Sequence, residues 1–131
     1  MKICMIGTGY VGLVSGVCLA DLGNDVVCVD KNKTKIQNLK KGIIPIYEPG
    51  LEELVLKNHK SGKLSFTSDL KKAVIKSTII FICVGTPNKK KSNAADISQI
   101  YNVSREIRRY TKSFKIIVTK STVPIGTGDK I

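Results

Sequence analysis

The 131-residue chain is short of residues that several kinds of function require. Aromatic side chains make up only 5% of it, which leaves no platform on which unpaired bases could stack. There is one histidine, His59, in a polar, lysine-rich stretch that reads as surface loop or helix. The four cysteines form no CxxC pair and no zinc-ligand spacing, so neither a zinc site nor a dithiol motif is expected. No apolar run approaches the roughly 20 residues of a membrane span, so no membrane partner is expected. The N-terminus shows a buried-strand pattern from residue 2 rather than the basic, apolar and small-residue parts of a secretory leader, and a cytoplasmic location is the expectation. Arginine is scarce as well. Lys and Arg outnumber Asp and Glu by 22 to 10, for a net charge of +12, yet only Arg105, Arg108 and Arg109 are arginines. The lysines are scattered, which reads as solvated faces rather than a nucleic-acid footprint. Weak, salt-sensitive binding to polyanions is all that this charge implies.

Length suits one domain, and 42% hydrophobic residues suffice for a core. Strand and helix patterns alternate along the chain, which implies a parallel sheet with right-handed crossovers. A first strand runs from about Lys2 to Gly7. A helix follows from Tyr10 to Leu22, with Val11, Val14, Cys18 and Leu22 expected on its inner face. A second strand, Asp25 to Asp30, leads to a short helix over Thr34 to Lys41. Ile43 to Gly50 reads as an ordered loop, and Leu51 to His59 as a helix with acids in its first turn. Leu64 to Phe66 is a third strand, and Ser68 is placed to cap a helix over Asp69 to Lys76. A fourth strand, Thr78 to Val84, is broken by Gly85-Thr86-Pro87. The polar segment from Asn88 to Ala95 carries a lysine run and reads as a solvated loop. A helix starting at Asp96 and ending near Lys112, a strand from Phe114 to Thr119 and a second strand-end loop at Lys120 to Pro124 complete the pattern. Gly126 to Asp129 resembles another helix start. Cys4, Cys28 and Cys83 fall in predicted strands and Cys18 in the first helix. All four read as small buried apolar residues of a reduced compartment, with no catalytic role.

The chemistry begins at Gly7-Thr8-Gly9-Tyr10-Val11-Gly12, between the first strand and the first helix. Gly7 permits the tight turn, Gly9 allows close backbone approach to a pyrophosphate, and Gly12 lets the helix meet the sheet. The helix N-terminus offers free N–H groups and a positive dipole end to phosphates. Asp30 closes the second strand about 20 residues on, where an acid accepts hydrogen bonds from the adenosine ribose. The same glycines could serve a ligand-free turn, but the strand, helix and acid around them argue for a dinucleotide. A carboxylate at 30 repels the 2′-phosphate of NADP and favours NAD. Lys31, Lys33 and Lys35 could offset that repulsion or simply lie on a solvated helix start. In a doubly wound sheet, ligands bind beyond the carboxyl ends of the strands, which brings in Thr86 and Thr122. Ordinary turn and capping chemistry is the competing reading of both threonines.

Four segments recur together, in this order, in a known family: Gly7 to Val14, Ile44-Pro45-Ile46-Tyr47-Glu48-Pro49-Gly50-Leu51, Val84-Gly85-Thr86-Pro87, and Lys120 to Thr127. The chain resembles the UDP-glucose/GDP-mannose dehydrogenases over its whole length, and its second and fourth segments resemble the UDP-glucose branch more than the GDP-mannose one. The resemblance implies an α/β, Rossmann-type doubly wound parallel sheet with helices on both faces, truncated after about five strands. Residues 1–131 would be the NAD-binding portion, with the central helix and C-terminal UDP-binding domain of the family lying beyond it. The implied full enzyme is a homodimer that oxidises UDP-glucose to UDP-glucuronate with two NAD⁺ and a water. The resemblance also implies that Tyr10 and Val11 lie against the cofactor and that Asp30 and Lys35 hold the adenosine ribose. It further implies that Thr86 and Thr122 face the nicotinamide half, with Thr122 helping to place the water or oxyanion. The family carries a glycine about where Asn93 stands, a departure that asparagine tolerates because it visits the left-handed region. The family's nucleophilic cysteine lies beyond residue 131, so the isolated chain is expected to be inactive. A stand-alone NAD-binding module from a split gene, a GDP-mannose-type enzyme and a basic polyanion-binding protein are the competing readings.

Overall fold

The computed structural model describes residues 1–89 and 94–131. Five strands form one parallel sheet: β1 (Lys2–Ile6), β2 (Asp25–Val29), β3 (Leu64–Thr67), β4 (Ile79–Ile82) and β5 (Ile116–Thr119). Their order across the sheet is β3-β2-β1-β4-β5. The central strand β1 pairs with β2 from Lys2 opposite Asp25, and with β4 from Ile3 opposite Ile79. The chain therefore moves outward through β2 and β3, then returns past β1 to build the other half. That reversal opens a crevice between the C-terminal ends of β1 and β4, the switch point at which such sheets bind ligands.

Helices cover both faces. On one lie α1 (Tyr10–Asp21), α2 (Lys33–Lys40) and α3 (Leu51–Lys60). Leu13, Val17, Ile36, Leu39, Leu51 and Val55 pack there against Ile3, Met5, Val26 and Cys28. On the other lie α4 (Leu70–Lys76) and α5 (Ser98–Tyr110). Ala73, Val74, Ile100 and Ile107 pack there against Cys4, Ile6, Ile80 and Ile82. Side chains alternate between the two faces along each strand, so β1 feeds both cores. The chain ends in a short 3₁₀ turn at Gly128–Lys130. No described helix is long and apolar enough to cross a membrane.

The structure corrects several expectations. The inner face of α1 is Gly12, Leu13, Gly16, Val17 and Ala20. Val11, Cys18 and Leu22 point to solvent, and Val14 is only partly buried. Apolar residues surround this helix, so periodicity alone could not choose a face. The small residues chose it, because they let the helix approach the sheet: a Cβ on Gly16 would lie 2.8 Å from Cys28 Sγ and 3.1 Å from Met5 Cγ. Cys18 is therefore an exposed thiol rather than a buried one. The cap of α4 is Asp69, whose carboxylate accepts from the Lys72 N–H at 3.0 Å, rather than Ser68. Thr67 Oγ1 accepts from the Asp69 N–H, so the turn is set one residue later than expected. Asp96 does not open α5; its Oδ1 accepts from the Ser98 N–H and forms the turn before the helix. Strand β4 stops at Ile82, and Cys83 lies just beyond it. Asn88 and Ala95 bridge antiparallel at the base of the lysine-bearing loop, where Lys90, Lys91 and Asn93 lie outside the described residues. Among the described residues β5 pairs with β4 alone, and Ile116 and Ile117 are both exposed.

Candidate functional site

A cleft of about 790 Å³ lies at the switch point. One wall comes from Gly7, Gly9, Asp30, Lys31 and Lys35, and the other from Cys83, Val84, Gly85 and the α5 residues Gln99, Asn102, Arg105 and Glu106. Its floor is the crossing of two strand ends. The Gly7 N–H donates to Val29 O, and the Cys83 N–H donates to Ile6 O. Gly7 has φ +103°, and a Cβ there would lie 2.6 Å from Cys83 O. Both conformation and space require glycine. A Cβ on Gly12 would collide with the Gly7 carbonyl oxygen.

Gly9 differs from these two. Among the described residues, no atom outside its immediate chain neighbours lies within 4 Å of where its Cβ would stand, and the residue lines the cleft. It caps α1 without a side-chain hydrogen bond. The first-turn N–H groups of that helix have no intrahelical acceptor and suit a phosphate anion. The space above Gly9 and the donors beside it fit a diphosphate at this point.

Asp30 lines the same cleft at the end of β2. Its Oδ1 accepts from the Asn32 N–H at 3.0 Å. Its Oδ2 accepts from the Thr8 N–H at 3.1 Å, from Thr8 Oγ1 at 2.7 Å and from Lys35 Nζ at 3.4 Å. Burial by itself would raise its pKa; the hydrogen bonds from Asn32 and Thr8 and the Lys35 charge outweigh it and hold the carboxyl below its ordinary value. The acid thus stays ionised in the cleft.

Of the residues singled out from the sequence, Gly7, Gly9, Asp30 and Lys35 come together in the cleft. Gly12 lies beneath it as a packing residue. Tyr10 and Val11 lie half exposed on the first turn of α1, and the Tyr10 hydroxyl donates to the Glu48 carboxylate of the loop before α3. Thr86 is partly buried and Thr122 exposed, on the loops after β4 and β5. Ser121 ties those loops together: its hydroxyl donates to Val84 O at 2.7 Å. Gly85, rather than either threonine, reaches the cleft wall.

Sequence reasoning missed Thr8 and the polar face of α5. Thr8 is fully buried but occupies a variable position of the fingerprint. The α5 face was detectable as Gln99, Asn102 and Glu106 at helical spacing, directly after the loop that follows β4. The buried cysteines Cys4, Cys28 and Cys83 are not poised as nucleophiles. Burial pushes Cys4 up to about 12, and burial raises Cys28 as well. Burial lifts Cys83 to about 11 against the opposing Lys120 charge.

Comparison with known proteins decides among dinucleotide folds. A model of the UDP-glucose/GDP-mannose dehydrogenase family, NAD binding domain, matches residues 1–131. The chain belongs to that family. The cofactor of this chain is accordingly NAD. It is 60% identical over its whole length to a UDP-glucose 6-dehydrogenase of Rhizobium meliloti, covering 30% of that protein. It is 52% identical over 97% of its length to the UDP-glucose 6-dehydrogenase TuaD of Bacillus subtilis, covering 27% of that protein. Among solved structures, the GDP-mannose dehydrogenase of Pseudomonas aeruginosa superposes with a TM-score of 0.94 at 44% identity, covering all of this chain and 30% of the other. The chain thus spans about 30% of the length of these family members. The doubly wound sheet and both covered faces agree with the fold expected from the sequence.

Proposed function

We propose that this chain is the cofactor-orienting part of a UDP-glucose 6-dehydrogenase, serving the oxidation of UDP-glucose to UDP-glucuronate in a homodimeric full-length protein. The observation that carries the reading is the continuous wall formed by the glycine loop and Asp30. The Rhizobium meliloti enzyme and TuaD, at 60% and 52% identity, are more similar to the chain than the GDP-mannose enzyme at 44%, although other UDP-glucose enzymes are less similar than that. NAD, when bound, supplies the hydride acceptor for the sugar's alcohol and aldehyde oxidations. The glycine loop and the first turn of α1 hold the diphosphate. Asp30 and Lys35 hold the adenosine ribose, and the Asp30 charge rejects a 2′-phosphate. Tyr10 and Val11 flank the cofactor at the start of α1. Thr86 and Thr122, on two loops fastened by Ser121, face the nicotinamide half, and Thr122 helps to place water or an oxyanion. Since three cysteines are buried neutral thiols and Cys18 lies outside the cleft, the thioester chemistry of a second oxidation falls to a cysteine elsewhere in the full-length protein.

Calorimetric titration with NAD⁺ tests the cofactor half of this reading. Asp30→Ala is expected to weaken binding by more than about tenfold, because a charge-assisted contact is lost from a closed wall. Unchanged affinity would remove Asp30 from the site. The same 131 residues, incubated with UDP-glucose and NAD⁺, are expected to form no UDP-glucuronate; product formation would refute the placement of the nucleophile elsewhere.

A further inference from the structure

Thr8 is wholly buried, between the two glycines that the diphosphate approaches. Among the described contacts, its hydroxyl has one partner, Asp30 Oδ2, and its backbone N–H donates to the same oxygen. With Lys35 Nζ, that oxygen meets three donors, which fills its acceptor capacity. Among the described residues, Oδ1 meets only the Asn32 N–H and keeps a lone pair. We propose that Thr8 is a positioning residue for NAD recognition: it locks Asp30 so that Oδ1 alone is presented to the adenosine ribose. The proposal rests on the NAD reading of the cleft and goes beyond it by assigning each carboxylate oxygen a separate task.

The lock has two consequences. A fixed carboxylate needs no ordering when NAD arrives, so the contact costs less to form. It also cannot turn aside for a 2′-phosphate. Without the Thr8 hydroxyl, Asp30 retains only backbone donors and Lys35, and it can rotate. Lys31 and Lys35, on the same wall, then become available to a phosphate. Among the described residues, the other ionisable groups lining this cleft are Arg105 and Glu106 of α5 and the Cys83 thiol.

Thr8→Val keeps shape and removes the hydroxyl; Thr8→Ser keeps the hydroxyl. Titrations with NAD⁺ and NADP⁺ from acid to neutral pH, beside thermal melts, form the test. In the valine variant, NAD⁺ affinity is expected to fall roughly tenfold, the size of one hydrogen bond to a charged group. NADP⁺ affinity should fall less, so the preference for NAD⁺ narrows. The acid limb of NAD⁺ binding should move to higher pH, since Asp30 loses a donor that stabilises its charge. The serine variant should restore all three. General loosening of the fold would weaken both dinucleotides equally and leave the limb in place. A folded valine variant with wild-type affinity, preference and acid limb overturns the proposal, as does a serine variant that behaves like valine. If neither valine nor alanine at position 8 yields a folded chain, the unsubstituted protein decides. A slowly exchanging Thr8 hydroxyl proton is then expected by NMR, and a freely exchanging one refutes the lock. Failure of the unsubstituted chain to bind NAD⁺ at all would instead sink the wider cofactor reading.

Discussion

Gly9 and Gly12 share one motif but answer to different constraints. Gly9 has φ −72° and ψ −171°, a conformation open to any residue, and no protein atom crowds its missing side chain. Gly12 would drive a Cβ into the backbone of Gly7, which cannot yield. A valine at 9 is therefore expected to melt within a few degrees of wild type yet lose NAD⁺ binding. An alanine at 12 should lose stability and binding together, by about 1–3 kcal/mol of overpacking for the former. Melting curves paired with calorimetry check both. Equal stability loss at the two positions would show that Gly9 is also a packing residue. The identity of these glycines was legible from the sequence because the motif encodes backbone needs. The division of labour was not, since it depends on how the loop folds back, which sets the Gly7 carbonyl oxygen in collision with a Cβ on Gly12 and leaves Gly9 open to the cleft. Thr8 was illegible for a similar reason: its role exists only once Asp30 is folded beside it.

At the level of elements, the strands and helices of the chain were largely foreseen, while the orientation of α1 was not. Buried parallel strands announce themselves as apolar runs, and α2 and α5 have clear polar faces. An apolar helix laid close on a sheet is chosen by its small residues instead. Gly16 measures that closeness. Alanine would gain about 1 kcal/mol in helix propensity, against about 1–3 kcal/mol for overpacking Cys28 and Met5. We expect the second effect to win, because both neighbours are buried on the sheet, leaving a net loss of up to about 2 kcal/mol. Urea unfolding would read this directly, and a stabilised Gly16→Ala variant would mean that α1 sits farther from β1 and β2 than described. The caps of α4 and α5 were misplaced by one or two residues because Ser68, Asp69 and Asp96 are all competent capping types. Only the turn geometry, with Thr67 holding the Asp69 N–H, selects among them.

For the whole molecule, the carboxylates and thiols set opposite limits in pH. Asp21, Asp25, Asp30, Asp69 and Asp96 all lie below their ordinary value of 3.8 when folded. A depressed folded pKa contributes stability that is present above the unfolded value and lost as pH falls through the folded one. The buried thiols of Cys4, Cys28 and Cys83 lie above their ordinary value of 9.0. The unfolded chain then releases protons that the folded chain retains, so stability falls as pH rises past 9.0. Melting temperature in reducing buffer should be flat across neutral pH and decline below about pH 4 and above about pH 9. A plateau extending well past pH 10 would indicate that these thiols are not buried in the folded chain. The net charge of +12, prominent in the sequence, is carried mostly by lysine, with all three arginines exposed on α5, and the cleft mixes Lys31, Lys35 and Arg105 with Asp30 and Glu106.

The pairing of β1 with β4 also sets a schedule for synthesis. Residues 1–67 contain three adjoining strands and the helices of one face, and they can assemble as they leave the ribosome. The second edge of β1, and the face bearing Cys4 and Ile6, must wait for Ile79–Ile82. At roughly 5–20 residues per second, that interval lasts about one to three seconds. During it the nascent chain displays a central strand paired on one edge only, with the glycine loop present but its opposite wall not yet made. Cofactor capture is therefore a late event in the life of each new chain, and the nascent half-sheet is the stage at which aggregation or chaperone binding would compete with folding.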